Sequence, residues 1–138
     1  MVQADGIGIL NLLASYAQSC DDDLFDDFQA LFKDDAIMTV AGTSLVGAQD
    51  IRAFVEEQQR AGLQGKHLIG NVRLVVDGDN ATVSSDFFFF QWRDGRLQVT
   101  RSGRYDDVLG RVDHDWRFER HDVTFFQRDA MTPTTKAI

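Results

Sequence analysis

The chain has 138 residues, of which 43% are hydrophobic and 26% are charged, and it carries a net charge of −8. This length is enough for a single domain, expected over residues 1–138, and the lone Cys20 excludes an internal disulfide and a cysteine-rich metal site. The acidic balance argues against nucleic acid and anionic membranes as partners, because both are bound through clustered lysine and arginine. The single cysteine and the lack of a signal-peptide pattern lead us to expect a cytoplasmic protein.

Three helices are predicted in the first half of the chain. Apolar residues recur at helical spacing from Ile7 to Tyr16, with Asp5 as the predicted N-cap and the acidic run Asp21-Asp22-Asp23 at the helix end. A second apolar stripe lies between Leu24 and Phe32, and a third helix is predicted from Ala48 to Arg60. All three helices precede the main β-rich part of the sequence.

The remaining segments have the alternation and turn residues that are typical of strands. Lys33-Asp34-Asp35 is predicted as a turn before a strand over Ala36–Val40 and a short return over Ser44–Val46. Four longer strands follow, and a tail over residues 128–138 is expected to be peripheral. These observations predict an α+β domain in which helices cover one face of a curved antiparallel or mixed sheet. The four strands are Lys66–Val76, Ala81–Trp92, Leu97–Leu109 and Trp116–Phe126.

The strand Ala81–Trp92 is aromatic on both faces in its second half. Period two places Phe87, Phe89 and Gln91 on one face and Phe88, Phe90 and Trp92 on the other. The first set is expected to line the interior. The second set indicates either contact with another subunit or a strand that is buried on both sides within one domain.

Few residues are candidates for acid–base chemistry. His67 opens a strand directly after a polar turn, where it is either a core histidine or a general base. His121 shares its strand register with Val123 and can face inward, whereas His114 lies in a turn of aspartates and is expected at the surface. Asp21 is either a solvated helix end or a catalytic carboxylate. No metal or nucleotide cofactor is expected, because the sequence has neither a ligand pair at helical spacing nor a glycine-rich phosphate loop.

Several short motifs in a fixed order resemble the SnoaL-like group of the nuclear-transport-factor-two-like superfamily, which contains scytalone dehydratase, hexachlorocyclohexane dehydrochlorinase and bile-acid dehydratase. The resemblance covers roughly residues 7–126 and implies a cone-shaped sheet with helices on its concave side, enclosing a pocket. The motifs are Ile9-x-x-Leu12-x-x-x-Tyr16-x-x-x-x-Asp21, Leu31-Phe32-x-Asp34-Asp35-Ala36, Gly47-x-x-x-Ile51-x-x-Phe54, His67-x-x-x-Asn71, Gly103-Arg104-Tyr105-Asp106-Asp107 and Trp116-Arg117-Phe118-x-x-Arg120.

The resemblance implies a catalytic His–Asp pair. Carried over, His67 would be the general base, Asp21 would orient its imidazole, and Tyr16 would polarise a substrate oxygen. The expected reaction is elimination by dehydration, with isomerisation or cyclisation as alternatives, on a hydrophobic cyclic or aromatic small molecule. A homodimer or homotrimer is also expected. The expected substrate-binding residues are Phe87, Phe89, Gln91, Arg101 and His121.

Two other functions remain open from the sequence. The motifs around Tyr105 and Trp116 are also similar to those of the small, non-catalytic subunits of aromatic-ring dioxygenases. A pocket that only binds a ligand is the second alternative, and it is favoured if Asp21 lies beyond hydrogen-bond reach of His67. The strand carboxylate Asp86 is expected to face outward, which makes it a poor counterpart of the ketosteroid isomerase base.

Overall fold

The fold combines three helices with a six-stranded sheet in a computed structural model that describes residues 2–126. The tail predicted over residues 128–138 lies outside the described residues. Within residues 2–126, no helix has the length and apolar character needed to cross a membrane. The elements are α1 (Val2–Asp21), α2 (Phe25–Ala30), β1 (Phe32–Val40), β2 (Thr43–Val46), α3 (Ala48–Arg60), β3 (Lys66–Asp77), β4 (Asn80–Arg93), β5 (Arg96–Val112) and β6 (Asp115–Phe125).

The sheet is curved, open and mixed. Its strand order is β2-β1-β6-β5-β4-β3, and only the neighbours β1 and β6 are parallel. The four long strands from β3 to β6 form a meander, because each is joined to the next by a short turn. The predicted α+β class with a mixed sheet is confirmed.

The alternation in β4 determines which face of the sheet is covered by helices. Phe87, Phe89 and Gln91 are buried on the inner face, in the same set as Ala81 and Val83. They belong to a face packed against apolar residues of the three helices. On the outer face, Phe88 is 48% and Trp92 is 73% exposed. The alternative of a strand buried on both sides within one domain is therefore wrong.

Three local predictions require correction. Lys33-Asp34-Asp35 does not form a turn but belongs to β1, in the irregular stretch between the pairs Phe32–Phe118 and Ile37–Arg120 that β1 makes with β6. The second helix is shorter than the stripe from Leu24 to Phe32 suggested, since it covers only Phe25–Ala30. Asp5 is not an N-cap, because α1 already begins at Val2.

Asp5 instead ties the first helix to the sheet. Its Oδ1 accepts a hydrogen bond of 2.8 Å from Nη1 of Arg111 on β5. The guanidinium of Arg111 also packs over the ring of Trp116, 4.3 Å from its centroid. This contact network fixes the N-terminal part of α1 on the strands, and α1 carries Tyr16 and Asp21 further along.

Gly65 sets the path by which the chain enters β3. A Cβ at this position would overlap the carbonyl oxygen of Phe90 and would lie 2.6 Å from Cζ of Phe89. Only glycine allows this close approach to β4. Since Gly65 lies two residues before His67, the close approach places that imidazole against the inner face of the sheet.

Candidate active site

His67 and Asp21 form a hydrogen-bonded pair between β3 and the last residue of α1. Nδ1 of His67 lies 2.6 Å from Oδ1 of Asp21, and the backbone N–H of His67 donates to Oδ2 over 2.9 Å. Both side chains are largely buried, at 14% and 6% exposure. A carboxylate accepts both bonds, so Nδ1 carries a proton, and in the neutral form of the ring Nε2 has the lone pair. Within residues 2–126, no protein group hydrogen-bonds to this Nε2.

The His67 imidazole lines a cavity of about 570 Å³ between the inner face of the sheet and the helices. This volume lies in the range of small-molecule sites. Most of the wall is apolar, and its aromatic part includes Phe87 and Phe89 of β4. The centroid of the Phe89 ring lies 4.6 Å from that of His67, and Phe87 stacks on Tyr105 at 4.3 Å. The two phenylalanines thus line the cavity as expected.

Tyr16 brings a phenol to the same cavity from α1. Its ring centroid lies 6.2 Å from that of His67 in an edge-to-face arrangement. Burial raises the pKa of the Tyr16 phenol well above its ordinary value, and the neighbouring Tyr105 adds to this rise. The hydroxyl group therefore keeps its proton at neutral pH and can take part in hydrogen bonding as a donor.

Arg101 supplies a cationic group to the cavity wall. Its guanidinium carbon lies 5.9 Å from the centroid of Phe89, the residue opposite it in the β4–β5 register. Within residues 2–126, no carboxylate forms an ion pair with Arg101. Its donors are therefore available for an oxygen of a bound molecule.

Gln91 and His121 do not line the cavity, in contrast to the expectation that they contact substrate. Gln91 is buried, but its amide binds the Gln64 carbonyl oxygen and the hydroxyl of Thr100, at 2.9 Å and 2.7 Å. It thereby holds the loop before β3 on the sheet. His121 lies one layer deeper and reaches the cavity only through Tyr16, whose hydroxyl is 3.0 Å from its Nε2.

Three further polar residues were not identified from the sequence. Tyr105 lines the cavity beside Tyr16, and Asp107 lies 2.5 Å from Nδ1 of His121. Tyr105, Asp107 and Leu109 are alternate residues of β5, and all three are buried. This alternation in the sequence could have identified Tyr105 and Asp107 as residues of the inner face. Gln59 of α3 also lines the cavity, with its Oε1 buried and accepting no hydrogen bond from residues 2–126.

Cys20 lies close to the His67–Asp21 pair, and one ligand-type atom from each of the three residues falls within 4.8 Å of the others. Burial raises the pKa of the Cys20 thiol to about 12, and the Asp21 carboxylate adds to this rise. Metal ions bind the thiolate rather than the thiol. Both oxygens of Asp21 are already hydrogen-bonded to His67. The donor set thus suits proton transfer better than metal binding.

The arrangement is suited to removing a proton from a bound molecule. In its neutral form His67 has a lone pair on Nε2, the Asp21 carboxylate is placed where it can stabilise an imidazolium, and aromatic side chains line the wall beside them. Asp86 lies on the other face of the sheet, where Asn71 and Arg104 bind its carboxylate. It takes no part in this site, as expected.

Comparison with known proteins places the chain in a family. A family model described as the SnoaL-like domain matches residues 4–122. An NTF2-like protein with a cystatin-like fold from Novosphingobium aromaticivorans is 21% identical, with a TM-score of 0.86 over 99% of this chain and 92% of that chain. A search of the curated proteins gives no match.

Two further solved structures from the same organism share the fold. A candidate scytalone dehydratase is 19% identical, with a TM-score of 0.77 over 91% of this chain and 86% of that chain. The beta subunit of a candidate aromatic-ring-hydroxylating dioxygenase is 21% identical, with a TM-score of 0.79 over 91% of this chain and 92% of that chain. Identities this low establish the fold alone. The family match extends over most of the chain, and the protein belongs to the SnoaL-like family of NTF2-like folds.

Proposed function

We propose that the protein is a cofactor-free lyase that removes water from a hydrophobic cyclic or aromatic small molecule, with isomerisation or cyclisation as related alternatives. The observation that carries this proposal is the 2.6 Å contact between Nδ1 of His67 and Oδ1 of Asp21. It leaves Nε2 unprotonated on a ring that lines a largely apolar cavity. A pocket that only binds a ligand has no need for such a pair.

In the proposed step, Nε2 of His67 takes a proton from a carbon next to a carbonyl group. The electron pair of the C–H bond becomes the new C=C bond, while the C–O bond to the leaving hydroxyl breaks. The leaving oxygen takes this proton back from the His67 imidazolium and departs as water, so His67 returns to its neutral state and atoms and charges balance. Asp21 stabilises the transient imidazolium, and Tyr16 hydrogen-bonds a substrate oxygen.

The polar groups of the cavity indicate which substituents the substrate carries. Within residues 2–126 the Arg101 guanidinium has no carboxylate partner and suits a carbonyl or anionic oxygen, and Oε1 of Gln59 accepts no hydrogen bond and suits a hydroxyl donor. The rings of Phe87 and Phe89 suit a flat apolar body. We therefore propose a polycyclic or aromatic ketone that bears a hydroxyl group as the substrate class.

The direct test uses β-hydroxy cyclic ketones, beginning with 4-hydroxy-2-tetralone, which loses water to give fluorescent 2-naphthol. The proposal predicts a rate above the uncatalysed reaction for at least one member, and loss of that rate in His67→Ala. His114→Ala is the matched control, because His114 is an exposed turn residue and should retain full activity. Absence of acceleration across the panel, or equal rates in His67→Ala, would contradict the proposal.

The likeness to a dioxygenase beta subunit supports a second candidate, a non-catalytic partner of another chain. We favour self-association as a homodimer or homotrimer, because the outer sheet face exposes Phe88, Trp92, Leu97 and Val99. Light scattering of the purified chain tests this proposal. A stable dimer or trimer that becomes a monomer in Trp92→Lys is expected, and a monomeric wild-type chain would contradict it.

A further inference from the structure

A second His–Asp pair lies behind Tyr16, at the bottom of the cavity. Asp107 of β5 and His121 of β6 are register partners, and Oδ1 of Asp107 lies 2.5 Å from Nδ1 of His121. The other ring nitrogen, Nε2, is 3.0 Å from the Tyr16 hydroxyl. The side chains of His121 and Asp107 are 1% and 0% exposed. The three residues form a continuous hydrogen-bonded chain from the core to the cavity wall.

The surroundings of Asp107 differ from those of Asp21. Both oxygens of Asp21 accept hydrogen bonds, whereas Oδ2 of Asp107 is buried and accepts none from residues 2–126. No lysine or arginine in the described part of the chain forms an ion pair with Asp107. A carboxylate beside a neutral imidazole would here be a buried net charge with an unbonded oxygen, which is costly.

Other titratable groups lie near His121 and Asp107 and affect the free-energy cost of a buried Asp107 charge. The ring of Tyr105 lies 4.5 Å away between centroids, and Tyr16 is the only hydrogen-bond partner of Nε2 in residues 2–126. Burial raises the pKa of Asp107; the imidazole of His121 opposes this rise, and the negative charges of Asp106 and Asp122 add to it. The Asp107–His121 pair is therefore more stable with one additional proton than in the state with an ionised Asp107 and a neutral His121.

That additional proton determines the role of Nε2. If it resides on His121, the ring is an imidazolium and both nitrogens are protonated. If it resides on Asp107, the carboxylic acid donates to Nδ1, and the ring proton is on Nε2. In both cases Nε2 donates to the Tyr16 oxygen, so the hydroxyl proton of Tyr16 is directed away from His121, where the Tyr105 hydroxyl and a molecule in the cavity are the competing acceptors.

We propose that Asp107 and His121 are positioning residues that keep Nε2 of His121 protonated and thereby make Tyr16 a hydrogen-bond donor to the molecule in the cavity. This inference deepens the proposed function, on which it rests for the assignment of Tyr16 to the reacting molecule. Tyr16 supplies a donor for a carbonyl or leaving oxygen, while His67 supplies the base. The two His–Asp pairs have similar geometry but different roles in this proposal. The His67–Asp21 pair accepts a proton, whereas the His121–Asp107 pair keeps its proton and supports the Tyr16 donor.

The state of the Tyr16 phenol is consistent with this role. Burial raises its pKa well above the ordinary value, as do the nearby Tyr105, Cys20 and Asp107. Tyr16 therefore remains a neutral phenol with a proton to donate across the pH range in which the protein is handled. A phenolate at this position would instead compete with His67 as a base.

Nitrogen-15 NMR of the imidazole rings tests the protonation state without a substrate. In the full chain carrying His67→Gln and His114→Gln, His121 is the only histidine, so its ring signals need no further assignment. The expected spectrum shows a protonated Nε2 between pH 6 and 8, with slow exchange with water. A neutral ring protonated only at Nδ1 would overturn the proposal.

A second variant tests the link to Tyr16. Tyr16→Phe, in the same single-histidine background, keeps the aromatic packing and removes the acceptor of the Nε2 proton. The Nε2 proton signal should move upfield and exchange faster, while the contact with Asp107 is maintained. An Nε2 proton signal that is unchanged in Tyr16→Phe would overturn the proposal, because Nε2 would then not donate to the phenol.

These readouts are independent of turnover. A protonated Nε2 in a protein that dehydrates no ketone of the panel would leave the His–Asp–Tyr assignment in place and contradict the proposed function. Turnover by a protein in which Nε2 of His121 is unprotonated would support the proposed function and contradict the His–Asp–Tyr assignment. The matched control is Asp94→Asn, because Asp94 is exposed in the turn between β4 and β5, is not among the charges that act on Asp107, and should leave the Nε2 signal unchanged.

Discussion

Nδ1 of His67 lies 2.6 Å from Oδ1 of Asp21, although 46 residues separate them in the chain. The contact arises because α1 ends where β3 begins, and the backbone N–H of His67 binds the second oxygen of the same carboxylate. The pair is therefore held by side chain and backbone together. Such double anchoring fixes both the tautomer and the orientation of the imidazole.

Replacement of Asp21 by asparagine tests the contribution of the carboxylate. The amide can satisfy only one of the two donors of His67, and it carries no charge to stabilise an imidazolium. We expect turnover of an active ketone to fall by about a hundredfold or more. Initial rates on the β-hydroxy ketone panel measure this effect, and circular dichroism checks that the fold is retained. A folded Asp21→Asn variant with wild-type rates would remove Asp21 from the mechanism.

Gly65 provides a test of how the backbone positions His67. In Gly65→Ala, the new Cβ would overlap the Phe90 carbonyl oxygen, and we expect a loss of stability of about 1–3 kcal/mol. Chemical denaturation measures this change. Gly70→Ala is the control, on the strand that Gly65 precedes, because a Cβ there would meet nothing within 4 Å. Equal stability of the two variants would show that the close approach to β4 is not required.

Thiol labelling tests the environment of Cys20. With a pKa of about 12, only about one thiol in ten thousand is ionised at pH 8. We expect the folded protein to react with iodoacetamide far more slowly than the same chain in denaturant, which serves as the control. Mass spectrometry gives the labelled fraction. Labelling of the folded protein at the rate of a free cysteine would mean that the thiol is neither buried nor protonated.

The ion pair between Asp5 and Arg111 predicts part of the acid sensitivity of the fold. A hydrogen bond from the Arg111 guanidinium lowers the pKa of Asp5 below its ordinary value. The folded state thus binds this proton less readily than the unfolded state. The stabilisation is present above the ordinary carboxyl pKa and is lost as the pH falls through the lowered value.

Asp5→Asn should therefore reduce stability at pH 7 and flatten its decline towards acid pH. Urea unfolding of both proteins between pH 3 and pH 7 provides the comparison. Asp113→Asn is a suitable control, because Asp113 lies in an exposed turn. Parallel stability curves for wild type and Asp5→Asn would contradict a role of this pair in folding.

The α+β class and the inner face of β4 could be predicted from the sequence, because both depend on local periodicity. The alternation of Phe87 and Phe89 with Phe88 distinguished the cavity wall from the exposed face, and helix α3 has the predicted bounds. Local polarity misled at Lys33-Asp34-Asp35, because β1 runs through these residues between its pairs Phe32–Phe118 and Ile37–Arg120, and those partners are distant in sequence. Local composition does not contain that information.

Part of the candidate site could not be predicted because it depends on registers between strands. His121 meets Asp107 only because β5 and β6 pair in one register, and it meets Tyr16 across 105 positions of sequence. Gln91 shared the buried pattern of Phe87 and Phe89. Its amide is nevertheless bound by neighbouring groups, and no periodicity reveals this.

The most direct measurement of the central claim is proton removal itself. The exchange of the α-carbon protons of 2-tetralone in D₂O can be followed by proton NMR with wild-type protein, His67→Ala and the surface control His114→Ala. We predict accelerated exchange with wild type and His114→Ala, and only the buffer rate with a folded His67→Ala. Exchange that is equally fast with His67→Ala, or no faster than buffer with wild type, would contradict the assignment of His67 as the general base.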